Sequence, residues 1–548
     1  MSEPQQSPPS VKSPRASLEK LKATRFESIS EAVILTGSSD SLQRELSNRK
    51  TQLVAIGGSI GTALFLSIGQ TLNNAGPGSL FLAFLVYNIF LALINNCMAE
   101  MTVYMPVSGS FIRMAGHWVD DALGFAVGWN FFLFQVVVIP FEITALTLVL
   151  SYWADIPVAA ICGTCIALYF LLNVYAVAWY GEAEFWLCSG KVLLLAILFS
   201  FTFVTMIGGN AQRDAYGFRN WESPGFLSAL WFASFAAVGP EFVGMLSAEV
   251  KHPRTYLKTA FKIVYGRIVV FFIGGALAVG ILVPYNDPTL NAVYRNGDGH
   301  SGSAAASPYI IAMKNMNVQV LPHIVTALIA STIFSAGNTY VYCATRSLHG
   351  LALEGRAPGF LKKCTKKGVP IYCFGIVMVF PFLSFLQLSS STSTVLTWLI
   401  NLATGATVID YIVICITYIR FHQACKVQSF DRSKLPYYGR FQPWSAYLGL
   451  AWELLIIIFY GYKSLYPFDT SAFLTAYTMP IVVFILFFGW KIIKKTRWLK
   501  PEEVDLTWEA PHITAYELAL DEPSVGWFRD CYRFFIGKVK KASHHSDA

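Results

Sequence analysis

The sequence predicts an all-α membrane protein with about twelve transmembrane helices. Its 548 residues are 54% hydrophobic and only 14% charged, which is far from the composition of an ordinary soluble protein. The apolar residues also gather in runs long enough to cross a bilayer. Since one spanning helix needs roughly 20 apolar residues, twelve helices leave no room for a large domain outside the membrane.

Twelve apolar runs follow a polar N-terminal segment. They lie near 52–72, 79–104, 122–151, 156–178, 186–207, 227–247, 263–283, 319–346, 371–388, 394–419, 446–466 and 473–493. Residues 1–48 mix Ser, Pro, Lys and Glu without periodicity, which predicts a disordered tail. We therefore expect three parts: the tail at 1–48, a twelve-helix domain at 49–495 and a C-terminal tail at 496–548.

The positive charge of the chain, +8 overall, is spread over the short segments between apolar runs. It does not form the one-sided patch that nucleic-acid binding requires, so no nucleic-acid partner is expected. Most of these lysines and arginines fall in the even-numbered loops, and cytoplasmic loops are the ones enriched in them. Both termini are therefore expected in the cytoplasm. The aromatic residues of the C-terminal tail predict partial contact with lipid at the membrane surface.

Two of the apolar runs are interrupted in the middle. The first contains Gly57-Gly58-Ser59-Ile60-Gly61-Thr62, and the sixth contains Gly239-Pro240-Glu241. A broken helix is tolerated in the membrane only where protein or a cavity surrounds it. Paired breaks of this kind indicate a transporter site at the midplane, whereas small residues alone also serve close helix packing.

The helix ends at such breaks define the chemistry of the solute. Freed amide N–H groups at the downstream half of the first helix attract a carboxylate, and freed carbonyl groups suit an ammonium group. A zwitterionic amino acid, or a related small cationic or zwitterionic solute, is the expected ligand.

Four ionisable residues within or near the apolar runs stand out, because charge is costly there and usually functional. Glu241 is the candidate proton carrier, and its alternative role is to bond the amides freed by Pro240. Lys191 acts either as a fixed cation between helices or as a snorkelling side chain. Glu142 lines the substrate cavity or pairs with another helix, and Glu100 anchors a helix end.

Three further polar residues occur in later runs, and their ordinary role is hydrogen bonding between helices. They are Asn338 in the eighth run, and Asn401 and Asp410 in the tenth. No clustered ligand set, phosphate loop or nucleophile motif is present, so neither an enzyme, a metal site nor a cofactor is expected.

Several motifs, in order, make the chain resemble the fungal amino-acid permeases of the amino acid-polyamine-organocation superfamily. Besides the first-helix break, the resemblance rests on these segments: Pro106-Val107-Ser108-Gly109-Ser110-Phe111, Tyr180-Gly181-Glu182-Ala183-Glu184-Phe185-Trp186, Val283-Pro284-Tyr285-Asn286-Asp287-Pro288 and Phe334-Ser335-Ala336-Gly337-Asn338. Gly368-Val369-Pro370 and Ile416-Thr417-Tyr418-Ile419-Arg420-Phe421 extend it.

This resemblance implies a five-plus-five inverted repeat with broken first and sixth helices, and import of amino acids with protons at the plasma membrane. The substrate-binding residues expected from it and from the breaks are Ser59, Ile60, Gly61, Thr62, Ala63, Ala236, Val238, Gly239, Glu142 and Asn338. The residues expected to couple protons are Glu241 and Lys191, the latter in the position where related folds bind sodium.

The chain departs from the family pattern at two places near the breaks. Ala63 stands where the family usually has glycine, and Ala237-Val238-Gly239-Pro240-Glu241 stands where the family usually reads Phe-Leu-Gly-Thr-Glu, without its aromatic residue and its threonine. The substrate range therefore stays open, with carnitine, a polyamine or a related compound as the alternative to common amino acids.

A nutrient-sensing receptor built on the same fold is the second class of function. Both tails are long enough to hold partners, and the family resemblance makes Lys12, Lys20 and Lys22 candidate sites for the ubiquitin machinery. Their alternative role is that of an ordinary charged cluster near anionic lipid.

Overall fold

The computed structural model describes residues 44, 46–57, 61–175, 177–210, 213–218, 221, 225–294, 307–365, 369–390, 392–465, 467–520, 524, 526, 529 and 530. Within these ranges the regular structure is helical, and strand pairing is limited to two isolated bridges. The all-α prediction is confirmed for this part of the chain, and most of the N-terminal tail lies outside it.

The described residues of the first half of the chain form ten α-helices and two π-helical turns. They are α1 (Asn48–Gly57), a π turn (Ala63–Ser67), α2 (Ile68–Tyr104), α3 (Phe111–Trp118), α4 (Asp121–Leu150), α5 (Val158–Tyr175), α6 (Val177–Met206), α7 (Phe226–Ala236), α8 (Pro240–Met245), α9 (Pro253–Arg267), a second π turn (Ile268–Ile273) and α10 (Gly274–Leu282).

The described part of the second half forms eight further α-helices and four 3₁₀ segments. They are α11 (Pro288–Tyr294), α12 (Pro308–Asn315), α13 (Leu321–Leu353), 3₁₀ Gly359–Lys362, α14 (Ile371–Val377), 3₁₀ Phe380–Leu388, α15 (Thr392–Val427), 3₁₀ Arg432–Lys434, α16 (Trp444–Phe459), 3₁₀ Tyr462–Ser464, α17 (Thr470–Lys494) and α18 (Ala510–Ala519).

Nine stretches of helix among the described residues are long and apolar enough to cross a membrane. Two shorter apolar helices, Val158–Val174 and Trp444–Phe459, accompany them. One of the nine, Ala63–Tyr104, is 42 residues long, well beyond the length a bilayer needs. Its backbone is interrupted at Gly76, where φ is +75° and a proline follows. It contains the end of the first predicted run, 52–72, and the whole of the second, 79–104. The count of twelve spans stays a prediction.

Helix α4 is the most enclosed of the long helices. In its most apolar window 83% of the residues are buried, against 11% for α17. It packs most extensively against α13 and α15. Polar side chains on α4 therefore face protein rather than lipid, which is the condition for a functional group inside a membrane.

The C-terminal segment packs against the helix ends, whereas the sequence predicted partial contact with the membrane surface. Among its contacts, the Leu499 N–H donates to Val119 O (2.8 Å), Trp118 Nε1 to Asp505 O (3.0 Å), and the Tyr104 hydroxyl to Leu506 O (2.8 Å), while Arg113 pairs with Glu509 (3.2 Å). The Arg49 N–H also donates to Asp530. Both described ends of the chain thus lie at the same side of the helix bundle.

Candidate functional site

The first break separates α1 from the helical turns that follow it. Helix α1 ends at Gly57, and helical geometry resumes at Thr62, which precedes the π turn Ala63–Ser67. Two of the expected substrate-binding residues, Ser59 and Ile60, fall between these points and lie outside the described residues. The downstream half begins with backbone N–H groups that have no partner within their own helix.

Glu142 of α4 lies at the start of this downstream half-helix. Its side chain is 3% exposed, and one carboxylate oxygen accepts a hydrogen bond from the Thr62 hydroxyl. A Cβ added to Gly61 would lie 3.1 Å from the other oxygen, so an added side chain would require this carboxylate to shift by a few tenths of an ångström. The carboxylate is thus held at the positive end of a helix, where an anion is favoured.

Lys191 of α6 is fully buried and is attracted electrostatically to Glu142. The burial of its side chain agrees with the fixed-cation alternative, and its role stays a prediction. The pair comes from two different helices, and Glu142 is the member that contacts the first break.

The eighth predicted run contributes Asn338, whose side chain is 8% exposed. Its amide oxygen accepts a hydrogen bond of 2.8 Å from Asn173 of α5. The neighbouring Gly337 has no side chain, and a Cβ there would lie 2.1 Å from the hydroxyl oxygen of Tyr169. Helices α4, α5 and α13 therefore meet around Glu142, and Tyr169 and Asn173 extend its polar surroundings beyond what the sequence indicated.

The second break separates α7 from α8. Helix α7 ends at Ala236, and Gly239 has a φ of +152°, a backbone conformation in which side chains are rarely found. The N–H of Gly239 donates to both oxygens of Glu241, each at 3.1 Å. The amide-bonding role of Glu241 is thus present in the structure, as the alternative interpretation expected for a chain broken by Pro240.

Two side chains from other helices complete the surroundings of Glu241. The Tyr411 hydroxyl of α15 donates to its carboxylate at 2.9 Å. Arg267, at the end of α9, is attracted to it electrostatically and donates to the carbonyl oxygens of Ala55 and Val238 at 3.0 and 2.7 Å. Glu241 is only 1% exposed, and its carboxylate faces the buried guanidinium of Arg267.

The two breaks share one neighbour, Tyr340 of α13, which is 8% exposed. Its side chain interacts electrostatically with both Glu142 and Glu241. Its ring packs edge-on against Phe134 and Phe242. The structure thus places Tyr340 near both carboxylates, and Ala236 and Val238 at the second break are buried as well.

Three of the polar residues predicted from sequence lie outside this region or serve packing. Glu100 is fully buried and accepts hydrogen bonds from Arg432, from the Tyr418 hydroxyl and from a backbone N–H. Asp410 accepts one from Asn130 at 2.9 Å. Asn401 reaches the side chain of a threonine in α17. All three therefore connect helices, which is the ordinary role expected of them.

A comparison with protein-family models identifies the family that contains these two broken helices. The family model described as amino acid permease matches residues 50–502, which include both breaks and all the candidate site residues. The chain belongs to the amino acid permease family.

Relatives of this permease come from several fungi. The general amino acid permease AGP2 of Saccharomyces cerevisiae is 41% identical over 502 residues, covering 87% of this chain and 84% of the relative. The dicarboxylic amino acid permease of the same yeast is 33% identical, with coverage of 85% and 79%. The proline-specific permease of Emericella nidulans is 34% identical, with coverage of 85% and 88%.

The fold of this permease is also similar to that of a solved transporter structure. The Eremococcus coleocola manganese transporter superposes with a TM-score of 0.52 at 13% identity, covering 83% of this chain and 97% of that one. At this identity the likeness concerns the fold alone. Together with the family match, it makes the permease a multi-pass membrane transporter and not an enzyme.

The side chains of this permease that the sequence did not single out share one property. Arg267, Tyr411, Tyr169 and Asn173 all sit within apolar runs, and each acquires its role through a residue on another helix. Of these side chains, only Arg267 is recognisable from the sequence, because a charge inside the seventh apolar run is as costly as the charges of Glu100, Glu142, Lys191 and Glu241.

Proposed function

We propose that this permease imports amino acids with protons across the plasma membrane by alternating access. The observation that carries the proposal is the pair of buried carboxylates, each attached to the break of one discontinuous helix and each facing a buried cation. Broken helices with polar ends at the midplane are the arrangement with which many secondary transporters hold a solute and its coupling ion.

The first break is the proposed position for the carboxylate of the substrate. Backbone N–H groups at the start of a half-helix favour an anion, and Gly61, Thr62 and Ala63 lie at this point. Ser59 and Ile60 stay predicted substrate-binding residues outside the described part of the chain. Ala236, Val238 and Gly239 line the second break, and Glu142 and Asn338 close the polar side. Because relatives are named for general, dicarboxylic and proline transport, the site recognises the backbone groups of an amino acid, and other residues select its side chain.

Glu241 is the proposed proton carrier, with Lys191 as a fixed cation beside the first break. A carboxylate that is buried, hydrogen-bonded and close to a second break can bind a proton from one side and release it to the other once the bundle rocks. Tyr411 and Gly239 stabilise the charged form in between.

Both termini are proposed to lie in the cytoplasm, as the distribution of basic residues favours. The contact of Arg49 with Asp530 supports a shared side for the two ends. The tails at 1–48 and 496–548 then face the cytoplasmic machinery, including ubiquitin ligases that recognise lysines near the N-terminus.

A specific observation favours a second candidate, a cationic solute without a carboxylate. Examples are a polyamine, or a quaternary ammonium compound that is related to carnitine but lacks its carboxylate. Glu142 already holds the Thr62 hydroxyl at the anion-favouring end of the first break. A substrate carboxylate has to displace it, whereas an amine is attracted by it.

The test is uptake of labelled solutes by cells that lack other permeases, at several pH values, with unlabelled amino acids, carnitine and polyamines as competitors. We expect competition by amino acids and uptake that falls as external pH rises. Glu241→Gln at the cell surface should remove this pH dependence. Full pH-dependent accumulation by that variant would contradict the coupling role, and competition by polyamines alone would favour the second candidate.

Measurements on the same cells distinguish transport from a receptor function. Signalling on addition of solute without any labelled uptake would overturn the transport proposal.

A further inference from the structure

Arg267 lies midway along the span Pro253–Leu282 and is only 3% exposed. A guanidinium at this depth is costly unless its donors are satisfied. Its two terminal nitrogens donate to backbone carbonyl oxygens, Nη1 to Ala55 at 3.0 Å and Nη2 to Val238 at 2.7 Å. It also lies over the ring of Phe272, with 5.7 Å between the guanidinium carbon and the ring centre.

The two carbonyl groups belong to equivalent places in the fold. Ala55 is in the last turn of α1, just before the first break, and Val238 follows the end of α7 within the second break. The C-terminal end of a helix carries partial negative charge and carbonyl groups without partners in the helix. Arg267 therefore joins the negative ends of the two upstream half-helices with one side chain.

The fit around the guanidinium is tight. A Cβ added to Gly239 would lie 1.3 Å from Nη2 of Arg267. The glycine in the sequence Gly239-Pro240 is thus required by the guanidinium as well as by its own positive φ.

We propose that Arg267 is a positioning residue whose guanidinium holds the two breaks together through its hydrogen bonds to both. We further propose that the strength of this contact depends on the charge of Glu241. The inference rests on the proposed proton coupling. In transporters with broken helices, carbonyl groups at these ends coordinate the coupling ion. Here the guanidinium takes two of them permanently, and Glu241 is its nearby counter-charge. Protonation of Glu241 removes that counter-charge and changes the balance of forces on both breaks at once.

Other titratable groups face Glu241 and Arg267 from the surrounding helices. They are Tyr87 of α2, Tyr340 of α13, Asp410 and Tyr411 of α15, and Glu453 of α16, which interacts with Tyr87 and Tyr411. Arg267 is the cation among these groups. Its removal leaves Glu241 among acids and tyrosines, and a carboxylate without a neighbouring cation keeps its proton to higher pH.

The experiment compares Arg267→Gln, Arg267→Lys and the control Lys262→Gln, which removes a charge from an exposed position on the same helix. Uptake of the best competitor from the solute panel is measured against pH in cells with equal surface levels. We expect Arg267→Gln to move the pH of half-maximal uptake upward by at least one unit. Arg267→Lys should restore that pH but not the maximal rate, because an ammonium group cannot span both carbonyls as a planar fork does.

A second measurement does not depend on transport. Hydrogen exchange of the purified full-length variants should be faster in peptides covering both 51–57 and 236–244 in Arg267→Gln, and unchanged in Lys262→Gln. Faster exchange at one break only, or at neither, would overturn the joining role. An unshifted pH profile in Arg267→Gln, or equal shifts in Arg267→Gln and Arg267→Lys, would overturn the dependence on Glu241. If wild-type uptake has no pH dependence, the proposed coupling fails, while the exchange data still decide the joining role.

Discussion

The two helix breaks are built from the same kinds of group but connected in opposite ways. At the first break the acid, Glu142, comes from a different helix and reaches the break through the hydroxyl of Thr62. At the second break the acid, Glu241, is two residues from the glycine whose N–H it binds, and Arg267 and Tyr411 come from other helices. Glu142 therefore reaches the first break from another helix, whereas Glu241 belongs to the segment that forms the second break.

This difference indicates how one fold can separate recognition of the solute from coupling to protons. A carboxylate attached through a side-chain hydroxyl can be displaced by a solute that offers the same chemistry, at the cost of about one hydrogen bond to a charged group. A carboxylate tied to the backbone of its own break moves with it. We therefore assign recognition of the solute to the first break and coupling to protons to the second.

The largest effect is expected from adding a methyl group at the second break. In Gly239→Ala the new Cβ collides with Arg267 and the backbone has to keep a φ of +152°, so uptake should fall by about 100-fold or more, as a cost of about 3 kcal/mol implies. Gly61→Ala places its Cβ 3.1 Å from a side-chain oxygen of Glu142, which has more freedom to shift, and should lose less.

The matched control is Gly266→Ala on α9, where a Cβ has nothing within 4 Å. Uptake is measured at equal surface level for the three variants. Equal losses in Gly239→Ala and Gly61→Ala would mean that the two breaks are not built differently.

A second prediction concerns the acid at the first break. Glu142→Gln keeps the size of the side chain but removes the charge that faces Lys191, so the KM for the solute should change by about tenfold. The pH of half-maximal uptake should stay where it is, because Glu241 and its partners are untouched. Initial rates over a range of solute concentration and pH provide both numbers. A shift of the pH profile in this variant would mean that the two tasks are not divided as assigned.

A smaller change should follow from weakening the link between Glu142 and the first break. Thr62→Val removes the hydroxyl and should change KM by about three- to tenfold, whereas Thr62→Ser should preserve it, since serine keeps the donor. The combination of Thr62→Val with Glu142→Gln should be less than additive, because both act on the same hydrogen bond: the first removes its donor and the second makes its acceptor neutral. Strict additivity in that double-mutant cycle would argue against the link.

The smallest effect is expected at the second break. Tyr411→Phe removes one of the hydrogen-bond donors to Glu241 and leaves Gly239 N–H and Arg267 in place. Loss of a donor to the charged form should move the pH of half-maximal uptake upward by about half a unit, with no change in KM. A change in KM at constant pH profile would place Tyr411 with the solute instead.

Sequence patterns were sufficient for the fold class and for the position of both breaks, because glycine and proline within apolar runs act locally. They also identified Glu142, Glu241 and Lys191, since charge inside a membrane is rare enough to stand out. What they could not supply is which groups meet across helices. The approach of Tyr169 to Gly337 and the reach of Arg267 to Ala55 and Val238 depend on tertiary packing.

Helix boundaries were predicted less well where the chain changes direction without a polar loop. The end of the first apolar run and the whole of the second are joined in one helical stretch with a kink at Gly76, because Gly76 and Pro77 turn the chain without needing charged residues. The C-terminal segment was predicted to contact the lipid surface in part from its aromatic residues, yet Trp508 stacks on His117, with 4.1 Å between ring centres. Aromatic side chains among charges suit either surface, and only the packing distinguishes them.

The central claim is the division of tasks between the two breaks, and proton flux in proteoliposomes tests it most directly. Purified wild-type protein should acidify the lumen when solute is added outside, and Glu142→Gln should do so at higher or lower solute concentration with the same number of protons per solute. Glu241→Gln should exchange labelled for unlabelled solute without any acidification. Solute-driven acidification by Glu241→Gln at the wild-type ratio would contradict the account.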